Sequence, residues 1–228
     1  KERLRLDDLV DHEIGGGWGS EEVTERSPVP AFVIRGTDIP RALVGDVSSV
    51  PFRYHKKSAI RNRILRPNDI VFEVSGGSKG QPVGRALLVN ERLLEQFPAE
   101  VMCASFCKLV RLDASRCDPR YVFRILQKAY LGGDLDAFQV QSTGITNFRW
   151  KLFLEQFVVD LPGRKVQESV SQMLDLFDDL IENNRRRIDL LEEMAQAIYR
   201  EWFVHFRYPG HQNVPLVDSP IGPIPEGW

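Results

Sequence analysis

Hydrophobic and polar positions change rhythm once along the chain. Up to Pro162 the apolar residues come in short runs, at 31–34, 70–74, 84–90, 101–112 and 153–161. These runs are rich in Val, Ile, Phe and Leu. Gly15-Gly16-Gly17, Gly76-Gly77 and Gly132-Gly133 punctuate them, which predicts strands joined by turns. One helix interrupts the series. Asp118 offers a cap and Pro119 the first helical position, so the helix runs through RYVFRILQKAYL and stops at Gly132. A mixed, strand-rich α+β domain over residues 1–162 follows.

Beyond Pro162 the period changes. Val170, Leu174, Phe177, Ile181, Asn184, Ile188, Leu191, Ala195, Ile198 and Trp202 are spaced by four and three in strict alternation. This heptad seam, flanked by charged positions, predicts a long coiled-coil α-helix over 163–206, roughly 50 Å in length at ~1.5 Å per residue. Burying about eight large apolar side chains at ~1.5–3 kcal/mol each favours association by more than ~10 kcal/mol. The helix therefore needs a partner helix, from a second copy of the chain or from a second half. Asn184, polar within the seam, fixes register or strand number. Arg185-Arg186-Arg187 reads as a solvated face, with Glu182 and Asp189 in helical reach. Residues 207–228 carry five prolines and predict an extended tail.

The net charge of −2 is a poor average. Residues 53–92 hold nine basic side chains against three acidic ones, whereas 161–228 hold seven against eleven. Such asymmetry points to a local anion-facing surface, with a solvated basic face as the plainer alternative. Cys103, Cys107 and Cys117 are too few and too irregular for a disulfide framework or a zinc site. They read as small buried hydrophobes in a reducing cytoplasm, with Cys103 and Cys107 on one face of a single strand. No apolar run reaches the ~18 residues of a membrane span, and no basic-then-apolar leader opens the sequence.

Catalytic patterns are incomplete. Asp69 and Glu73 imitate the acids of a metal-dependent nuclease, but Ser75 stands where the lysine belongs. SGGSKG (75–80) lacks the spacing of a phosphate-binding loop. His12, His55, His205 and His211 are scattered, and no Asn/Asp-Pro-Pro-aromatic signature of base methylation occurs. No catalytic residue and no metal ligand is assigned. Binding chemistry is better represented. Arg53, Lys56, Lys57, Arg61, Arg63 and Arg66 crowd one segment, followed by Ser75, Ser78, Lys79, Gln81 and Arg85. Gln141, Ser142, Thr143, Asn147 and Arg149 repeat the theme. Lysine and arginine neutralise phosphates, arginine reads guanine, and asparagine or glutamine reads adenine. Turn and cap chemistry is the alternative for each loop.

GGGWG (15–19), VIRGTDIP (33–40), NDIVFEVSGGS (68–78), STGITNFRWK (142–151), YREWFVHFRYPG (199–210) and IGPIPEGW (221–228) occur in an order that resembles the specificity subunit of type I restriction–modification systems. The resemblance implies that 1–162 is a DNA target-recognition domain and 163–206 a spacer helix. Such subunits hold two recognition domains apart on antiparallel helices and read a bipartite DNA target. They dock modification (methyltransferase) subunits and a restriction subunit. S-adenosylmethionine, Mg and ATP belong to those partners, and the subunit itself is a non-catalytic, cytoplasmic protein. Here only one domain and one helix are present. IPEGW usually precedes a recognition domain, and KERLRLDDLV usually follows such a segment, so the expectation is one repeat unit. It would be a natural half-subunit or half of a longer protein, pairing as a homodimer when alone. The alternative is a coiled-coil adaptor whose front domain binds protein, and a more distant one is a nuclease using Asp69 and Glu73.

Overall fold

The computed structural model describes residues 2–76, 82–142 and 144–228, so Ser78, Lys79, Gln81 and Thr143 lie outside the described residues. The architecture is the mixed α+β domain and long helix that the two rhythms predict. Two compact units are present, Lys1–Asp175 and Leu176–Trp228.

In the first unit, a four-stranded antiparallel sheet sets the strands in the order Val10–Gly15, Cys107–Leu112, Ile70–Glu73, Ala86–Leu88. Ile70–Glu73 is buried throughout, as expected of a central strand with both faces covered. A second sheet joins Phe52–His55, Val29–Ile34 and Val101–Cys103, the last pair running parallel. A third pairs Gln139–Ser142 with Ile145–Phe148, and that strand with Ser75–Gly76. Glu2–Arg5 pairs with Val158–Leu161.

The helix Pro119–Gly132 is capped by the Asp118 side chain and closed by Gly133, whose φ of 79° is the left-handed turn that glycine tolerates. It packs Val122, Phe123 and Leu126 into a core shared with Phe72, Phe148, Trp150 and Phe153. Phe72 lies 5.0–5.5 Å, ring centre to ring centre, from each of these last three aromatics.

Three expectations are corrected. The 101–112 run is not one strand: Val101–Cys103 and Cys107–Leu112 belong to different sheets, and Cys107 N–H closes a turn onto Ala104 O. Cys103 and Cys107 are therefore not neighbours on one strand face, although both are buried. The 153–161 run begins in a helix, Trp150–Gln156, because Trp150, Phe153 and Leu154 bury at helical spacing. Only Val158–Leu161 is strand. The tail is not simply extended. It forms a short hairpin, Leu216–Val217 with Ile224–Pro225, and brings Trp228 against Phe203, Phe206 and Tyr208 at 5.3–5.5 Å. Contacts among these four partly exposed aromatic rings fold the tail back against the extension that the prolines favour.

The long helix spans Arg164–Tyr199 and widens into a π-helical turn at Arg200–Val204. The first unit reaches Asp175 rather than Pro162, because the opening turns of the helix pack on it. Gln167 accepts from Asp118 N–H (2.9 Å), and Asp175 pairs with Arg120 (3.1 Å) and Arg124 (2.9 Å). Of the seam, Val170, Phe177, Ile181, Ile188, Leu191, Ile198 and Trp202 are exposed in the single chain, as are Asn184 and Ala195, while Leu174 is half-buried. A second exposed apolar stripe, Met173, Leu176, Leu180, Leu190 and Met194, lies about 100° around the helix and is interrupted by Asn183 and Arg187. Arg186 pairs with Glu182 one turn away, as the solvated-face reading expects. No helix among the described residues is long and apolar enough to cross a membrane.

Candidate nucleic-acid interface

Strand Phe52–His55 delivers the basic segment to the short helix Lys57–Ile60, which is anchored by buried Ile60. Lys56, Lys57 and Arg61 stay exposed there, with no ion pair among the described residues. Arg66, beyond them, is also exposed. Three further basic candidates, Arg53, Arg63 and Arg85, are tied into the fold. Arg53 pairs with Glu21 (3.0 Å) and lays its guanidinium over the Trp18 ring at 4.7 Å. Arg63 donates to Gly15 O (2.8 Å) and Ala59 O (2.6 Å), which fixes the glycine-rich segment to the helix. Arg85 donates to both carboxylate oxygens of Glu73, at 2.8 and 2.6 Å.

Ser75, Ser142 and Asn147, candidates drawn from positions some 70 residues apart, meet on the third sheet. Ser75 Oγ donates to Asn147 Oδ1 (2.6 Å), and Asn147 Nδ2 donates to Ser142 Oγ (3.4 Å). Gln141 and Arg149 are exposed beside them. Gly144, in the left-handed region (φ 84°), turns this hairpin. The amide and hydroxyls thus run across the three strands of this sheet, with Asn147 on the central one.

Asp69 and Glu73 do not face a common point. Arg111 binds Asp69 through two 2.7 Å hydrogen bonds, and Arg85 binds Glu73, so each acid is neutralised by its own arginine. Among the described residues no three His, Cys, Asp or Glu side chains converge as a metal site. Burial pushes the Cys103 thiol up to about 12 and the Cys117 thiol to about 11, far from a reactive thiolate.

Two groups escaped the sequence reading. Trp18 sits between the basic segment, through Arg53, and the Ser75–Gly76 strand, through a cavity of about 460 Å³ that both line. A tryptophan closing a run of glycines was the available signal. His55 is buried beneath the glycine-rich segment. Among the described residues its Nε2 finds no hydrogen-bond partner, and desolvation lowers its pKa. A Cβ on Gly19 would stand 2.6 Å from the ring, so glycine is required for this packing.

No family model matches the sequence. Over 75 residues it is 29% identical to the specificity subunit of the type I restriction enzyme MjaIX of Methanocaldococcus jannaschii, covering 33% of this chain and 17% of that protein. Solved structures extend the likeness. The S subunit of a type I restriction–modification system from M. genitalium superposes with a TM-score of 0.59 at 16% identity, over 89% of this chain and 46% of that one. A chain from a type I restriction–modification system solved for its complex assembly and conformational transition gives 0.53 at 14%, over 92% and 50%. The HsdS subunit from Thermoanaerobacter tengcongensis gives 0.51 at 13%, over 87% and 47%. The chain spans about half the length of each solved relative. In fold, and locally in sequence, it is similar to one half of a type I restriction–modification specificity subunit.

Proposed function

We propose that this chain is the DNA-recognition component of a type I restriction–modification complex, supplying one target-recognition domain and one spacer helix. The observation that carries the reading is the fold, which follows specificity subunits over about nine-tenths of the chain. The exposed Lys56, Lys57, Arg61 cluster and the Ser75, Ser142, Asn147 cluster across the third sheet supply phosphate and base chemistry respectively. The chain itself performs no chemistry. S-adenosylmethionine, Mg and ATP act in the modification and restriction subunits, and the complex works in the cytoplasm.

The exposed heptad seam supports pairing with a second such helix, from another copy or another repeat. Two copies about a two-fold axis would read a gapped palindrome. The second apolar stripe leaves surface for a further helical partner, and a modification subunit fits that role. Combining the chain with its modification subunit and mapping methylated positions across a genome tests the reading. A bipartite methylated motif is expected, and unchanged methylation without this chain would overturn it. An adaptor binding protein through the front domain is the rival. It predicts no salt-dependent retention of the purified chain on DNA or heparin.

A further inference from the structure

Trp18 (39% exposed) and Phe106 (53% exposed) present bare aromatic surface at the cavity of about 460 Å³, a volume in the range of small-ligand sites. Its lining is mostly apolar, with a small number of polar groups. One of these is Glu73, a carboxylate almost wholly out of water. Arg85 uses one direction on each carboxylate oxygen, and each oxygen keeps further acceptor capacity. Glycines stand where side chains would cover it. A Cβ on Gly36 would fall 2.3 Å from Glu73 Oε1, and one on Gly76 would fall 3.5 Å away. Ser75 links the cavity to Asn147 on the third sheet, and Arg35, held by Asp38, is the cation in its lining.

Flat apolar walls, an acceptor-only group within and cationic surroundings define a ligand. It is planar, carries an N–H donor and is attached to an anion. We propose that the cavity receives a nucleobase bearing an amino group, stacked on Trp18 or Phe106 and donating its amino hydrogen to Glu73. The amino groups of cytosine, adenine and guanine donate to a carboxylate in this way, whereas thymine offers a single N3–H flanked by two carbonyls that the carboxylate repels. The base comes either from a duplex, by local unstacking, or from a free nucleotide. Aromatic walls with edge contacts are what an extruded base requires. The inference rests on the DNA-recognition reading for the first source only.

The test has two arms. In the first, the four deoxynucleoside monophosphates are titrated while tryptophan fluorescence and amide NMR shifts are followed. Saturable changes are expected at lower concentration with the cytidine, adenosine or guanosine nucleotide than with thymidine monophosphate. Trp18→Ala and Phe106→Ala, both at exposed positions, should abolish them without changing the melting curve. In the second, duplexes carrying the methylation-mapped target receive one mismatch at a time. Unpairing lowers the cost of extrusion, so one position should bind about tenfold more tightly when mismatched. Phe106→Ala should remove that gain and leave affinity for the paired duplex and its salt dependence unchanged. A response in the first arm alone assigns a free nucleotide, and a gain in the second assigns an extruded base. No response in either arm overturns the proposal. Failure to bind any duplex refutes DNA recognition instead, and the nucleotide arm still decides the cavity.

Discussion

Arg85 holds Glu73 in a two-pronged ion pair at 2.8 and 2.6 Å, with both side chains largely removed from water. Removing one partner of such a pair leaves an uncompensated buried charge. Glu73→Ala should cost about 3–5 kcal/mol in urea denaturation. A paired Glu73→Leu, Arg85→Met variant should lose much less, since apolar groups fill the space without stranding a charge. Equal losses would show that the arginine is not stranded in the single variant. Asp69→Ala should behave like Glu73→Ala, because Arg111 and the Arg66 N–H both depend on that carboxylate. The nuclease alternative expects instead that Asp69→Ala abolishes magnesium-dependent cleavage by a stable protein. We expect intact DNA and a weakened fold.

Lys56, Lys57 and Arg61 are exposed and make no ion pair among the described residues. Each phosphate contact contributes about 0.9 to the slope of log K against log salt. Replacing all three by alanine should weaken duplex binding and flatten that slope by roughly 2–3, with little effect on the melting temperature. Arg63→Ala should act differently. It releases Gly15 and Ala59 from one guanidinium, so a drop in stability should accompany any loss of binding.

Ile181 and Leu191 lie on the exposed seam. Ile181→Asp with Leu191→Asp should convert a dimer to a monomer in light scattering at micromolar concentration, leaving the near-ultraviolet spectrum of the first unit intact. Asn184→Leu should strengthen association while loosening its stoichiometry, as expected when the one polar seam residue is lost. A wild-type monomer at that concentration would refute helix pairing by the chain alone.

His55 gives a pH dependence with a defined sign. Burial lowers its folded pKa below the ordinary value of about 6.5. As pH falls through 6.5 the unfolded chain takes up the proton first, so stability falls with it. The contribution is fully present above that value and is lost toward the lower folded pKa. Lys56 and Arg63 line, with His55, a second cavity of about 400 Å³ that Gly16 and Gly17 also border. His55→Gln should flatten the slope of unfolding free energy below about pH 6.5. An unaltered slope would assign the acid sensitivity to other groups.

Local periodicity carried far. The helix Arg164–Tyr199 and the helix Pro119–Gly132 each advertise themselves through spacing and caps, both properties of neighbours in sequence. The strand at Ile70–Glu73 was legible as an apolar run. The run at 153–161 was not, because a short helix buried on one side and a strand buried on both look alike in composition. Trp150, Phe153 and Leu154 became helical through a core that also includes Phe72.

Periodicity along the chain already separates a strand-rich domain from a long helix with an apolar seam, and the charge distribution shows where positive charge concentrates. Periodicity and charge are properties of the chain, so they survive without coordinates. Only the tertiary structure decided which charges remain available. Glu73 and Arg85 are twelve residues apart, Asp69 and Arg111 forty-two, and Ser75 and Asn147 seventy-two. Pairings at those separations arise from strand order and burial, which no local pattern encodes. The same closure placed Trp18 against Arg53 and opened beside it a cavity that includes Glu73.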